Sequence, residues 1–531
     1  MTLTEPNETM KTFCLILMLV LTAGCQSLPD NKNRPPGLKR ADVQNTYLAR
    51  QAASVLATHP GKSAFYPLSS GADALTARLE LVEAAEKSLD LQYYIWHRDD
   101  SGRLLAALLI RAAERGVRVR LLLDDMGTPL GDDTLLSLHQ HPNIEVRLFN
   151  PLSNRSRRMW SMLTDFARVN RRMHNKSLTA DNTLAIVGGR NIGNEYFAAH
   201  QEVAFADLDL AVAGPVVDKI SDGFDLYWNH SASYAIDQLV PESGEQVPFS
   251  VDEAQLDPYS AEARSRAGYG EMLSWQMGSS SVRQGWFWGN AQVLYDHPDK
   301  ALDPDIADSK LLSKQLSGVF SQVTDQLLLV SPYFVPGKQG VKFFADLEQR
   351  GVEVTIVTNS LAATDVGMVH SGYAKYRKDL LKAGVELYEM RPDVKSPAPS
   401  PKSDAPPKEN KEKNAPYLGS SSKASLHAKA FFIDQHYTFV GSMNLDPRSF
   451  LINTEIGILL DNEEFTGLAV AAIMKSLEQD AFQLLLDDSG DVYWLSQEGG
   501  EAVRYDAEPH VSWFGRMTVW FFGLFPIESQ L

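Results

Sequence analysis

One pattern occurs twice in this chain of 531 residues. His174-Asn175-Lys176-Ser177-Leu178-Thr179-Ala180-Asp181 and His427-Ala428-Lys429-Ala430-Phe431-Phe432-Ile433-Asp434 both read His-x-Lys-x4-Asp. Each is followed by a second shared signature, Val187-Gly188-Gly189-Arg190-Asn191 after the first and Val440-Gly441-Ser442-Met443-Asn444 after the second. In both, 17 positions separate the His from the Asn. A single match to so short a pattern arises by chance about a few per cent of the time in a chain of this composition. Two matches at a common distance from a second signature do not, so the chain reads as a duplicated unit.

The flanks repeat as well. In the first half the pattern predicts a strand over 88–95, then a helix over 102–115 with Leu104, Leu105, Leu108 and Leu109 at helical spacing. Gly116 breaks it before a strand over 117–123. In the second half the same order falls at 326–334, 341–350, Gly351 and 352–357, and Glu114-Arg115-Gly116-Val117-Arg118-Val119 matches Gln349-Arg350-Gly351-Val352-Glu353-Val354. Alternating strands and helices predict an α/β fold, with helices packed on mixed β-sheets. The expected divisions are a first lobe over 66–235, an inter-lobe segment over 236–310, a second lobe over 311–470 and a C-terminal extension over 471–531.

From the helix-ending Gly to the motif His is 58 positions in the first half and 76 in the second. The surplus falls in 392–422, a Pro-, Lys- and Ser-rich stretch too polar to bury a core. It is expected to stay extended and mobile, as a lid or as a tolerated insertion. Trp275, Trp286 and Trp288 in the inter-lobe segment suit either a lipid entrance or a core cluster. Near the C-terminus, Trp513, Met517, Trp520 and Leu524 share one helical face, which suits a membrane interface or a docked terminal helix.

Net charge is −17, which argues against a non-specific nucleic-acid binder, and no nucleic-acid partner is expected. The run from Phe13 to Leu21 is too short to span a bilayer as a stable helix. It ends in Leu21-Thr22-Ala23-Gly24-Cys25, which resembles a bacterial lipoprotein signal over 1–24 with lipid attached at Cys25. Thr22 stands where an aliphatic residue is usual, and Glu5 and Glu8 are odd in a positive leader, so Met10-Lys11 makes the better start. The alternatives are an ordinary secretory signal or an uncleaved anchor. Residues 25–65 would then be a tether in the cell envelope facing the periplasm, and Gln26 after the cysteine points to the outer rather than the inner membrane. Both cysteines, Cys14 and Cys25, lie in this segment, so no disulfide is expected in the mature chain.

Within each motif the chemistry follows from spacing. Residues two apart on a strand point to the same side, so His174 with Lys176, and His427 with Lys429, aim an imidazole and an ammonium together. Return strands bring Asn191 and Asn444 back beside the lysines, and Ser442 adds a hydroxyl where the first half has Gly189. Two ammonium groups and two amides suit a phosphodiester, whose oxygens they neutralise as charge develops. No His/Asp/Glu cluster has metal-ligand spacing, so no metal and no cofactor is expected. Asp181 and Asp434 precede turns at the far end of each hairpin, where they hold structure rather than touch substrate.

These residues resemble the phospholipase D superfamily. Gln92 to Trp96, Arg172 to Asn194, Thr358 to Ala363, Asp446 to Ser449 and Asn453 to Glu455 are similar to bacterial cardiolipin synthases of the C type, and the likeness covers about 65–531. The resemblance implies two homologous lobes packed face to face around one site, with the motif aspartates Asp181 and Asp434 counted in it. It assigns His174 as nucleophile and His427 as acid/base, with a phosphatidyl-histidine intermediate. Each imidazole needs a carboxylate on its far nitrogen. Glu455 fits the family's second-lobe partner; in the first lobe Asp207 fits best, ahead of Glu195 and Asp209. The implied reaction is phosphatidyl transfer to phosphatidylglycerol at a membrane surface, with phosphatidylglycerol or phosphatidylethanolamine as donor and no accessory protein identifiable from sequence. Hydrolysis to phosphatidic acid, nuclease activity and non-catalytic lipid binding are the alternatives.

Overall fold

The computed structural model describes residues 28–31, 36–155, 157–197, 204–240, 286–392 and 424–523. The leader with Cys25, Trp275 and most of the 392–422 insertion lie outside these residues.

Strands form where apolar, β-branched runs meet turn residues, and they fall into two equivalent sets. In the first half these are β1 (Ser63–Leu68), β2 (Ser88–Tyr93), β3 (Arg118–Asp124), β4 (Ile144–Phe149), β5 (Ser177–Ala180), β6 (Leu184–Gly188), β7 (Ala204–Ala206), β8 (Asp209–Ala213) and β9 (Ser233–Ala235). The second set begins with β10 (Phe287–Tyr295), β11 (Gln326–Val330), β12 (Glu353–Asn359), β13 (Glu386–Met390) and β14 (Ala424–Leu426). It continues with β15 (Ala430–Ile433), β16 (Tyr437–Gly441), β17 (Ile456–Asp461), β18 (Ala481–Leu486), β19 (Val492–Glu498) and β20 (Glu501–Tyr505). The first sheet runs β1-β8-β6-β5-β2-β3-β4-β9 and the second β10-β17-β16-β15-β11-β12-β13-β18-β19-β20, with β2-β3-β4 and β11-β12-β13 parallel. The mixed α/β fold expected from the sequence is the one observed.

Three features add to the sequence reading. Strand β10 lies inside the expected inter-lobe segment; its first residues pair with β1 and its later ones with β17, stitching the two sheets edge to edge. Trp288 on it stacks on His59 at 3.9 Å and Trp286 packs on Tyr66, so both belong to this seam rather than to an entrance. The expected boundary at residue 470 falls inside the helix Glu463–Asp480, after which β18 to β20 extend the second sheet. The C-terminal helix Trp513–Gly523 docks on the helix Gly367–Ala374 while leaving Trp513, Phe514, Met517 and Phe521 exposed.

Period-two alternation explains why the lobes meet as they do. On β6, Leu184 and Ile186 point into the first lobe's own core, while Ala185 and Val187 join a third cluster; on β15, Phe431 and Ile433 go inward and Ala430 and Phe432 join that same third cluster. The cluster also takes Phe65, Leu210, Val212, Ile456, Ile458 and Leu460, one face of each sheet. Strands buried on both faces read as unbroken apolar runs, which these do. The shared core is what presses the two motif hairpins together.

Candidate active site

Each motif hairpin closes through a tight turn whose two central residues have positive φ: Asp181 (50°) and Asn182 (45°) in the first lobe, Asp434 (51°) and Gln435 (51°) in the second. This left-handed pair matches the twist of the flanking strands. The Asp181 carboxylate accepts from the backbone N–H groups of Glu86 (3.0 Å), Lys87 (2.7 Å) and Ser88 (2.9 Å). Asp434 accepts likewise from Thr324, Asp325 and Gln326. The two aspartates therefore clamp each hairpin tip to the start of β2 or β11. They belong to the motif but not to the site, as their position before the turns implied.

At the other end of each hairpin the lobes exchange backbone. Strand β14 pairs in parallel with β7, and His427 N donates to Ala206 O at 2.8 Å. Met173 bridges Thr454 in parallel, and His174 N donates to Thr454 O at 2.9 Å. The residue following each partner segment is a carboxylate. Hence His174 Nδ1 meets Glu455 Oε2 at 2.8 Å, and His427 Nδ1 meets Asp207 Oδ2 at 2.5 Å. This corrects the lobe-by-lobe pairing expected above: both carboxylates were identified, but each serves the histidine of the opposite lobe. The alternatives drop out. Asp209 is buried against Arg78 (2.8 Å) and Arg190 (3.3 Å), and Glu195 pairs with His97 at 3.1 Å.

The support of the two carboxylates differs. A Cβ at Gly189 would lie 2.2 Å from Asp207 Oδ1, so only glycine there lets Asp207 approach. At the matching position of the second lobe, Ser442 Oγ donates to Glu455 Oε2 at 2.5 Å, and Ser449 Oγ donates to Oε1 at 2.8 Å. Ser442 is therefore a prop for Glu455, not the phosphate-binding hydroxyl expected from the sequence. Burial raises the Glu455 pKa to about 7, its polar neighbours only partly offsetting it. Burial also pushes Asp207 up, but His427 and Lys429 outweigh it and hold the carboxyl at about 2.

Lys176 and Lys429 are fully buried and converge on the same space, each within the field of the other lobe's groups. Burial lowers Lys429 to about 8 against the pull of Asp207, and lowers Lys176 well below its usual range. Burial and the two lysines drive His174 well below the usual imidazole value; His427 is lowered also, by burial and Lys429, with Asp207 opposing. Two imidazoles and two ammonium groups are thus buried together at a cost to their charged forms that the neighbouring carboxyls do not offset, an environment that favours an entering anion. Tyr94 and Tyr196, both from the first lobe, set their rings edge-on to His174 (5.0 Å) and His427 (5.3 Å).

The two asparagines diverge. Asn191 Oδ1 accepts from Ile95 N (3.1 Å) and its Nδ2 donates to Tyr196 Oη (2.9 Å). Asn444, equally placed and buried, keeps an Oδ1 with no partner among the described residues, while Asn191 is spent on the loop. Sequence reasoning also passed over Asp124 and Asn359, which end the equivalent strands β3 and β12. Asp124 binds Arg172 and accepts from Met173 N (2.9 Å); Asn359 exchanges two hydrogen bonds with Leu426. Each fixes the backbone one residue before a motif histidine, and their matching distance from Gly116 and Gly351 was the available signal. Among the described residues no group of three or more His, Cys, Asp or Glu is arranged to ligate a metal ion.

The cardiolipin synthase, phospholipase D-like domain family matches residues 79–228 and 318–479. The chain is 39% identical to cardiolipin synthase C of Escherichia coli strain K12 over 495 residues, 91% of this chain and 100% of that one. It is 24% identical to cardiolipin synthase B of the same strain over 398 residues, 75% of this chain and 76% of that one. Among solved structures it resembles phosphatidylserine synthase from Haemophilus influenzae, with a TM-score of 0.51, 15% identity, and coverage of 82% of this chain and 91% of that one, a likeness of fold.

Proposed function

Because the chain belongs to the cardiolipin synthase, phospholipase D-like family, we propose that it moves a phosphatidyl group from a donor phospholipid to phosphatidylglycerol. The observation that carries this reading is the crossed pair of histidine–carboxylate contacts converging with two buried lysines. His174 Nε2, with Nδ1 turned to Glu455, attacks phosphorus, and the phosphorus–oxygen bond to the donor headgroup breaks. That headgroup oxygen takes its proton from His427. The neutral His427 then removes the proton of the acceptor hydroxyl, whose oxygen attacks phosphorus and breaks the phosphorus–nitrogen bond. One phosphodiester replaces another, so no energy source is required. The ordering of the imidazoles supports these roles: His174 is the more strongly held neutral, and His427 has the firmer anion behind it.

Phosphatidylglycerol and phosphatidylethanolamine both fit as donors. Lipid attached at Cys25 would hold the enzyme in the envelope facing the periplasm, at the outer membrane; among the described residues no helix is long and apolar enough to cross a membrane. Incubating purified protein with each labelled donor and resolving the products tests the reaction. Cardiolipin is expected; phosphatidic acid as the only product would replace transferase by hydrolase. Palmitate labelling lost in Cys25→Ser tests the anchor.

A further inference from the structure

Between β4 and the first motif the chain carries a strap of unusual composition. Residues 155–172 contain six arginines and one acidic residue in a chain of net charge −17. The strap folds as two short helices, Arg158–Thr164 and Phe166–Val169. Its inner side is pinned: Arg155 binds Asp125 and Asp132, Arg158 binds Asp125, Arg168 binds Asp165, Arg172 binds Asp124, Arg171 donates to Lys300 O, and Ser161 and Val169 are buried. Its outer side is apolar. Met159 is 77% exposed and Phe166 52%, with Trp160, Met162 and the neighbouring Met126 also open. Arg157 stands among them, exposed and without a side-chain partner among the described residues.

Position gives this patch a meaning. The strap follows the carboxyl end of β4, the end of β2, β3 and β4 at which His174 sits. A Cβ on Gly127, next to Met126, would come within 2.1 Å of Tyr94 O, and the Tyr94 ring lies 5.0 Å from that of His174. Exposed Trp, Phe and Met with arginine at a site's lip are the side chains that sink into the headgroup region of an anionic bilayer. A soluble partner would also be met by an apolar patch, but Arg157 and Arg171, the strap arginines with no acidic partner among the described residues, select an anionic surface.

We propose that the strap 157–169, with Met126, is the bilayer-docking face of the enzyme, pressing into anionic phospholipid and delivering a headgroup to His174. The proposal rests on the phospholipid reading of the site. Amide hydrogen exchange of the full chain, with and without vesicles, tests it independently of any N-terminal anchor. Exchange in 157–169 should slow with vesicles containing phosphatidylglycerol and not with pure phosphatidylcholine. Unchanged exchange there while the protein co-sediments with the anionic vesicles would overturn it. Met159→Asp, at the most exposed position, and Trp160→Ser with Phe166→Ser should each cut turnover of vesicle substrate on the order of tenfold or more through KM. Turnover of a short-chain phospholipid dissolved as monomers should hold; equal loss on both substrates would mean the strap is structural. Product identity does not enter the exchange experiment, so a hydrolase outcome and a failure to dock remain separable.

Discussion

The two lobes share a backbone plan and differ in the polar groups behind it. In each, an aspartate clamps a hairpin, a strand-end side chain fixes the residue before the histidine, and the carboxylate comes from the other lobe. Yet Glu455 is propped by two hydroxyls and sits near 7, while Asp207 backs onto a glycine and sits near 2. Duplication supplies symmetry of position. Substitution at a few supporting residues then sets two identical imidazoles against carboxyls of different acidity, the kind of inequality that a double displacement uses.

The largest test of that asymmetry removes the histidines one at a time. His174→Ala and His427→Ala should each lower phosphatidyl transfer by about 10⁴-fold or more. They should part company with a donor bearing a nitrophenolate leaving group, which needs no acid. His427→Ala should then accumulate a phosphatidyl adduct on residue 174, visible by mass spectrometry, and His174→Ala none. An adduct on residue 427 instead would reverse the roles of the lobes.

Next come the carboxylates. Asp207→Asn and Glu455→Gln should each cost roughly 10²- to 10³-fold in kcat, by loss of tautomer control and of imidazolium stabilisation. Their pH profiles should differ. Lys429, near 8, loses its charge as pH rises, so kcat/KM of the wild type should fall above about pH 8. Asp207 is the strongest influence holding that proton, so Asp207→Asn should move the alkaline limb to lower pH, and by more than Glu455→Gln does. Glu455 gains a proton below about pH 7 and ceases to be an anion for His174, giving the acid limb; in Glu455→Gln that limb should vanish from a lowered profile. Identical shifts in the two variants would mean that the carboxylates are interchangeable.

How much of this the sequence disclosed depends on the range of the interaction. The strands, the break at Gly116 and Gly351 and both motifs are written in local spacing, and local spacing was enough to find them; the two carboxylates came from the resemblance to the family. The crossing of the carboxylates was not visible, because it depends on β7 lying beside β14 and Met173 beside Thr454, contacts between segments more than 200 residues apart. Ser442 misled for a related reason. A hydroxyl at a motif position can face substrate or its neighbour, and Glu455, 13 residues on, claims it. Asp124 and Asn359 were hidden by their difference in charge: only Asp124 has an arginine to neutralise, so the two do not look alike until their hydrogen bonds are compared.

The asparagines offer a smaller contrast. Asn191→Ala deprives Ile95 N of its acceptor and Tyr196 of its donor, so it should lower stability by about 1–2 kcal/mol as well as activity. Asn444→Ala removes an amide oxygen that has no partner among the described residues, so its melting temperature should change little. Its kcat/KM should still drop about tenfold, as expected if the amide Nδ2 donates to the substrate phosphate. Equal destabilisation by both changes would erase the distinction.

The smallest predicted effect on turnover concerns the hairpin clamps, where stability rather than chemistry is at stake. Asp181 is fully buried and takes three backbone donors, that of Ser88 buried with it; Asp434 makes the same contacts nearer the surface. Asp181→Ala should therefore cost about 3 kcal/mol and Asp434→Ala about 1 kcal/mol, read from denaturant midpoints at unchanged slope. For Asp434, burial raises the pKa but the backbone donors outweigh it, so its folded value lies below the ordinary one. Its contribution is then present above the unfolded pKa and disappears as pH falls through the folded value. The gap between wild type and Asp434→Ala should close in acid, and kcat of both variants on the surviving folded protein should stay within about twofold of wild type. A large loss of kcat in either would place a motif aspartate in the reaction, where its distance from the imidazoles along the hairpin says it does not belong.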